Sequence, residues 1–82
     1  MSYFVYILHS QKISKYYIGY TNDLDRRLHE HNIGHEKFSR TGCPWTLVYS
    51  KKFDSKIEAH REEMRIKKRK SKNFIEELIK AI

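Results

Sequence analysis

The sequence predicts a small α+β domain in which a three-stranded antiparallel sheet is flanked by helices, in the order β-β-α-β-α-α. Three observations predict it. Two closely spaced runs of aromatic and β-branched residues lie near the N-terminus, a third run lies in the middle of the chain, and the other segments carry apolar residues at helical spacing. At 82 residues the chain suffices for one domain, residues 1–82, with one modest core.

The first two strands are expected to form an antiparallel hairpin. They cover residues 3–8 and 15–20, and the short polar link between them is typical of a hairpin. A turn centred on residues 11 and 12 places Tyr6 opposite Tyr17. Because side chains alternate along each strand, both phenols then project from one face of the sheet.

The first helix is predicted to follow directly after the hairpin. Thr21-Asn22-Asp23 offers capping oxygens, and the helix should end by residues 32–34. Arg26 and Glu30 fall on one side of this helix. The other side carries the apolar positions and a second arginine, namely Leu24, Arg27, Leu28 and His31.

The second half of the chain is expected to contain a loop, one strand and two helices. Residues 34–45 look like an ordered loop, because Gly42 and Pro44 break regular structure. Alternation over residues 46–53 predicts the third strand, with Leu47 and Tyr49 on the same side. Trp45 is expected to be a buried anchor at the strand entrance rather than a platform for a base.

Two capping residues mark the last two helices. Ser55 and Glu58 form a capping box at the start of a helix over about residues 56–70. Ser71 caps the last helix. Its apolar stripe covers the core and consists of Phe74, Ile75, Leu78, Ile79 and Ile82.

The charge balance favours a polyanionic partner. Seventeen Lys and Arg against ten Asp and Glu give a formal net charge of +7, which speaks to binding rather than to fold. Cys43 is the single cysteine, which excludes an intrachain disulfide and a zinc site built on cysteines. No secretory signal and no run of roughly 20 apolar residues occurs, so we expect a cytoplasmic monomer without a membrane partner.

The residues best suited to chemistry are Tyr6, Tyr17, Gly19 and Arg27. A phenol beside a basic partner transfers a proton or positions water, and a guanidinium offers a planar fork of donors that matches phosphate oxygens. A glycine between the tyrosines lets a backbone approach closely. Tyrosines on strands are more often structural, so the residues by themselves leave both roles open.

The spacing of these residues resembles the GIY-YIG nuclease family. Phe4-Val5-Tyr6 and, after ten residues, Tyr17-Ile18-Gly19 are similar to its two signature elements, with Phe4 and Val5 in place of Gly and Ile. Residues 21–32 resemble the family's first helix. Residues 44–49 and the lysine-rich C-terminal part resemble the short stand-alone bacterial subfamily, which is related to the N-terminal nuclease domain of the bacterial excinuclease. The likeness covers nearly the whole chain.

This resemblance implies an endonuclease that hydrolyses phosphodiester bonds in DNA with one Mg²⁺ or Mn²⁺ ion, in repair or recombination. It implies that Arg27 is the active-site arginine and that Tyr6 or Tyr17 accepts the proton of the attacking water. His31, one turn after Arg27, is similar to a histidine found at that point in many members. As an active-site residue, His31 would contact phosphate or orient a phenol. A lone helix histidine is also a common structural residue, so the functional and the structural role both stay open.

The resemblance further implies a metal-binding glutamate four residues after an alanine like Ala59, which is Glu63. Glu62 and Glu63 lie equally far from the Ala59–Ile66 side of the helix. The wheel therefore leaves both open, and the family spacing favours Glu63. One carboxylate together with water and phosphate oxygens is a usual way to hold Mg²⁺.

Six cations within eight residues predict a phosphate-binding stripe near the C-terminus, for which a solvated helix end is the alternative. They are Arg65, Lys67, Lys68, Arg69, Lys70 and Lys72. Longer family members carry an asparagine beyond the metal-binding helix, and Asn73 matches it only loosely. The alternative function is therefore a nucleic-acid-binding module with a decayed or partner-dependent active site.

Overall fold

The computed structural model describes residues 2–34 and 37–81, and it confirms the predicted α+β fold and its sheet. β1 lies at the centre of the sheet, in the order β2-β1-β3, and it is antiparallel to both neighbours. The elements are β1 (Tyr3–Ser10), β2 (Lys15–Thr21), α1 (Leu24–Asn32), α2 (Lys37–Gly42), β3 (Thr46–Phe53), α3 (Lys56–Arg69) and α4 (Lys72–Lys80).

The β1–β2 hairpin is offset by two residues from the predicted register. Tyr6 pairs with Gly19, and Tyr17 pairs with Leu8, so the predicted pairing of the two tyrosines is wrong. The turn occupies residues 11–14 instead of two residues, because the Ser10 hydroxyl accepts a hydrogen bond from the Ile13 N–H at 3.3 Å and closes a wider link. A slip of two residues keeps every side chain on its face, so the two phenols still share one face.

The segment predicted to be an ordered loop contains the short helix α2. Gly42 and Pro44 mark the end of this helix and not the absence of one. Contacts with distant residues hold the helix in place. The Ser10 hydroxyl donates to the Gly42 carbonyl at 2.6 Å, and the Trp45 indole N–H donates to the Ser39 carbonyl at 2.8 Å. Trp45 is 2% exposed, which confirms that it is a buried anchor.

A β-bulge in β3 overturns part of the predicted alternation. Ile7 pairs with Tyr49 while Leu8 pairs with Leu47, so Val48 is an extra residue opposite β1. Leu47 and Tyr49 therefore lie on opposite faces of the sheet, contrary to the prediction.

The sheet carries one apolar cluster on each face. α3 and α4 cover the first face, where Val5 and Ile7 of β1 pack with Ala59, Ile66 and Ile75 of the helices. α1 and the segment before β3 cover the second face. The residues packed there are Tyr6, Leu8, Trp45, Leu24 and Leu28. The face that carries Tyr6 and Tyr17 is therefore the α1 face, and α3 lies on the other side of the sheet.

The predicted starts of the last two helices are confirmed. The Ser55 hydroxyl accepts from the Glu58 N–H and donates to the Glu58 carboxylate, so Ser55 caps α3 as predicted. Ser71 accepts from the Phe74 N–H. Phe74, Leu78 and Ile79 pack against the core with Ile75, while Ile82 lies outside the described residues. Within the described part of the chain, none of the helices has the length and apolar character needed to span a bilayer.

Two isoleucines of α3 allow a matched test of which side of this helix packs in the core and stabilises the fold. Ile66 is 1% exposed in the core, whereas Ile57 is 65% exposed. We expect Ile66→Ala to lower the free energy of unfolding by about 2–5 kcal/mol because it leaves a cavity. Ile57→Ala should change it by less than about 0.5 kcal/mol. Urea unfolding of both variants measures the difference, and equal losses would contradict the packing of α3.

Candidate active site

The Tyr6 side chain lies across the backbone of Gly19. A Cβ atom built on Gly19 would lie 2.6 Å from the Tyr6 hydroxyl oxygen and 2.8 Å from its Cζ atom. Because β2 is an edge strand, the phenol is thereby directed from the central strand toward the edge of the sheet. Any side chain larger than that of glycine would block this path.

Arg27 is held at this position by three neighbours on the α1 face. Its Nε atom donates to the Tyr6 hydroxyl at 3.4 Å, and its Nη1 atom donates to the Glu30 carboxylate at 3.0 Å. Its Nη2 atom lies 3.5 Å from the Nε2 atom of His31. The expectation that Glu30 faces away from Arg27 is wrong, since residues three apart on a helix lie only about 60° apart around its axis.

His31 and the second tyrosine complete an aromatic group beside the arginine. The Tyr17 ring packs edge-on against His31, with centroids 4.4 Å apart, and it lies 6.3 Å from the Tyr6 ring. His31 is 2% exposed. The guanidinium only donates, so in its contact with Arg27 the Nε2 atom of His31 acts as the acceptor. The structure thus brings together Tyr6, Tyr17, Arg27 and His31.

The electrostatic environment favours a neutral phenol and a charged guanidinium. Burial raises the pKa of Tyr6 above its ordinary value of 10.0, although the Arg27 hydrogen bond opposes the shift. For Arg27, burial acts to lower the pKa, but the bonds to Tyr6 and Glu30 outweigh it and the pKa rises. At neutral pH, Tyr6 therefore keeps its proton and Arg27 keeps its charge.

Glu63 lies on α3, which covers the opposite face of the sheet from this group. Burial is the main cause of the raised pKa of Tyr6, and the negative charge of Glu63 adds a smaller contribution. One turn earlier on α3, the His60 ring contacts Tyr20, the neighbour of Gly19, with centroids 5.3 Å apart. This contact positions the Glu63 segment of α3 beside the glycine that the phenol crosses.

The structure distinguishes the two candidate glutamates that the helical wheel left open. Glu63 is 8% exposed, and its carboxylate accepts from the Lys67 ammonium at 2.8 Å. Glu62 forms a two-point bond with Arg65, at 2.6 and 2.7 Å. That hydrogen bond lowers the pKa of Glu62. Burial raises the pKa of Tyr49, on β3, and the charge of Glu62 adds to the shift.

The donor set at this edge fits a hard, hydrated cation better than a closed metal site. Among residues 2–34 and 37–81, no three His, Cys, Asp or Glu side chains are grouped as metal ligands. A single carboxylate is enough for Mg²⁺ or Mn²⁺, which retain several waters, but not for a structural zinc site. Glu63, nearly buried and bonded to the Lys67 ammonium, provides such a carboxylate.

The six cations predicted to form one stripe occupy two sides of α3. Arg65 and Arg69 lie over the Phe74 ring, 5.5 and 4.4 Å from its centroid, on the side toward α4. Lys67, Lys70 and Lys72 line a groove on the other side, beside the start of β2. Lys68 is exposed. The six cations form two groups because residues two apart on a helix point in nearly opposite directions. Phosphate binding by these residues stays a prediction.

Sequence reasoning missed the partners that hold the candidate residues. Glu30 and Lys67 were identifiable from helical spacing, since each lies three or four residues from its partner. The link between Asn32 and the Trp45 backbone, which ties the end of α1 to β3, carries no local signal. Asn73 is exposed in the first turn of α4.

Comparisons with known proteins find similar sequences along most of the chain. Residues 2–76 match the GIY-YIG catalytic domain family. A UPF0213 protein of Halobacterium salinarum is 53% identical over 53 residues, which are 63% of this chain and 69% of that protein. A UPF0213 protein of Bacillus velezensis is 40% identical over 80 residues, covering 93% of this chain and 80% of its own length.

A solved structure shares the fold. The solution NMR structure of the UPF0213 protein BH0048 from Bacillus halodurans is 38% identical to this chain, with a TM-score of 0.61. The match covers 99% of this chain and 85% of that protein. The names of these relatives state no activity.

The raised pKa of Tyr6 predicts a specific dependence of stability on pH. Above pH about 10 the unfolded state releases the Tyr6 proton before the folded state does, so stability falls as the pH rises. Urea unfolding of the wild type and of Tyr6→Phe, compared from pH about 8 to about 11, measures this term. We expect the wild type to lose stability more steeply than the variant. Parallel profiles would show that the phenol titrates alike in both states.

Proposed function

This chain belongs to the GIY-YIG nuclease family, and from that premise we propose that it is a metal-dependent endonuclease that hydrolyses phosphodiester bonds in DNA. Nucleic acid as substrate and a divalent metal as cofactor follow from the family at the level of class. The proposal for this chain is carried by one observation: the Arg27 guanidinium bonds the Tyr6 hydroxyl and contacts His31, on the face of the sheet that also carries Tyr17.

Arg27 is proposed to neutralise a non-bridging phosphate oxygen. Its charge does not titrate in the physiological range, and its side chain is about one quarter exposed, so it is accessible to a ligand. Its partner Glu30 is a carboxylate on a partly exposed helix surface, and such ion pairs contribute little free energy. A phosphate can therefore replace Glu30 at the guanidinium and receive the same planar fork of donors.

Glu63 is proposed to hold the metal ion. Its low exposure and the family spacing support this role, whereas Glu62 is held by a two-point bond from the Arg65 guanidinium. When bound, the cation would supply charge that stabilises the developing charge on phosphorus and on the leaving oxygen. Mg²⁺ and Mn²⁺ both suit a site with one carboxylate.

The two tyrosines are proposed to divide the work of binding and proton transfer. The hydroxyl oxygen of Tyr6 is engaged by Arg27, and its raised pKa keeps its proton, so Tyr6 is suited to donating a hydrogen bond to water or phosphate. Tyr17 is the more exposed of the pair and packs on His31. We assign to Tyr17 the relay of the proton of the attacking water: its hydroxyl oxygen receives that proton while its own hydroxyl proton passes to solvent. His31 is assigned to orient the Tyr17 ring.

The basic residues of α3 and α4 are proposed to bind the DNA backbone. Lys67, Lys68, Lys70 and Lys72 are exposed and carry charge near Glu63, whereas Arg65 and Arg69 also pack on Phe74. Contacts of this kind release counterions, so affinity should fall steeply as salt increases. We further propose that the protein acts as a monomer in the cytoplasm, in DNA repair or recombination.

One observation favours the second candidate, a nucleic-acid-binding module whose active site is decayed or completed by a partner. Asn73, the loose match to the asparagine of longer family members, is exposed in the first turn of α4 rather than packed near Arg27. A partner would then have to supply that polar group. Cleavage by the purified chain alone separates the two candidates.

Two substitutions with matched neighbours test the proposed roles. We expect Arg27→Ala and Glu63→Gln each to lower Mg²⁺-dependent nicking of DNA by about 100-fold or more, because each removes charge stabilisation from the transition state. Arg26→Ala and Glu62→Gln are the controls, since Arg26 bonds Asn22 and Glu62 bonds Arg65. Initial rates on a labelled DNA substrate, with and without EDTA, measure the effect, and circular dichroism checks the fold.

Loss of activity in the control variants equal to that in Arg27→Ala and Glu63→Gln would remove these assignments. Metal-dependent cutting by all five proteins at the same rate would show that the activity resides elsewhere. Tight DNA binding without any cutting by the wild type would favour the binding module.

A further inference from the structure

A groove outside the candidate active site opens where the start of β2, the end of α3 and the start of α4 meet. Its volume is about 510 Å³, within the range of pockets that hold a small organic molecule. It lies on the α3–α4 side of the sheet, whereas the tyrosines and Arg27 lie on the α1 side. None of the roles described above uses its β2 residues.

The rim of the groove is strongly cationic. Lys15 of β2 joins Lys67, Lys70 and Lys72 around the opening. Two carboxylates oppose them: Glu63 accepts from Lys67, and burial together with the charge of Glu76 raises the pKa of Tyr16. Four positive charges against two negative ones leave a positive rim. Such a rim selects an anionic ligand.

The floor of the groove is apolar and aromatic. It is formed by Tyr16 and Ile18 of β2 together with Ile66 of α3 and Ile75 of α4. A hydrated phosphate by itself gains nothing from such a floor, whereas the flat face of a nucleobase does. Bases within a duplex are stacked on their neighbours, so only an unpaired base can enter.

Lys70 is an unusual residue for its place at the groove. It ends α3 with φ 47, in the left-handed region that glycine adopts most easily. A lysine here costs some stability compared with glycine, and it supplies a cation at the rim. The substitution Lys70→Gly therefore removes the cation and leaves at this position a residue that adopts the left-handed conformation without strain.

The groove is continuous with the proposed metal ligand. Lys67 lines the groove and also bonds Glu63. These residues are one helical turn apart, or about 6 Å along α3. If a phosphate of the substrate strand is bound between Arg27 and Glu63, as proposed, a neighbouring nucleotide of the same strand can reach the groove.

We propose that this groove binds an unpaired nucleotide of the substrate strand, with the base on the Tyr16–Ile18 floor and the phosphates at Lys15, Lys70 and Lys72. The protein is then selective for single-stranded segments over blunt duplex. The place of this step next to cleavage rests on the proposed function, but binding itself requires neither metal nor cutting.

The test compares strand binding with duplex binding in EDTA, where no metal-dependent cutting occurs. Fluorescence anisotropy with a short labelled oligonucleotide, its blunt duplex and an abasic strand of equal length gives three affinities. Lys15→Gln/Lys70→Gly should weaken binding of the single strand about tenfold or more and reduce the slope of log affinity against log salt by roughly 1.4. Lys52→Gln/Lys56→Gln, which removes two exposed lysines outside the groove, is the matched control.

For the wild type, the abasic strand should bind about fivefold or more weakly than the normal strand, because the base contact is lost. Equal losses of strand affinity in the groove and control variants would overturn the proposal. It would also be overturned by equal binding of normal and abasic strands, or by duplex affinity that matches strand affinity. Since no outcome depends on cleavage, absence of nuclease activity would leave this result unaffected.

Discussion

The contact between the Tyr6 phenol and the bare backbone of Gly19 is the feature on which the rest of the candidate site depends. Tyr6 starts from the central strand of the sheet, and its hydroxyl reaches Arg27 only because Gly19 has no side chain. α1 and α3 pack on opposite faces, so their polar residues would otherwise be separated by the sheet. In the proposed site, the space left open at Gly19 is what joins the two faces.

Three glutamates of α1 and α3 have one property in common: each is bonded to a cation three or four residues away along its helix. Glu30 bonds Arg27, Glu62 bonds Arg65 and Glu63 bonds Lys67. Partly exposed pairs of this type contribute about 0–1 kcal/mol, so a phosphate or a metal ion can replace one partner at small cost. The helices thus keep the charges in position without fixing them in a state that excludes ligands.

Much of the fold was predictable because it is encoded locally. The strands, the caps at Ser55 and Ser71, and the apolar stripe of α4 follow from patterns within a few residues. The register of the hairpin, helix α2 and the bulge at Val48 were not predicted. Helix α2 and the bulge depend on contacts between distant residues, such as the bond from Ser10 to Gly42. The register depends on the bond from the Ile13 N–H to the Ser10 hydroxyl, which the hydrophobic pattern does not indicate. The family spacing identified the candidate site residues. The division of the cations into two groups became visible only from the packing of α3 against α4 and β2.

The most direct measurement of the central claim is paramagnetic broadening of the protein's NMR signals by Mn²⁺. If one cation site joins the two faces at the edge of β2, substoichiometric Mn²⁺ should broaden signals of Glu63, Gly19, Tyr6 and Arg27 together, and Glu63→Gln should abolish the effect. Broadening confined to the solvent-facing side of α3, or centred on Glu30 or Glu62, would show that the phenols, the guanidinium and Glu63 do not serve a common site.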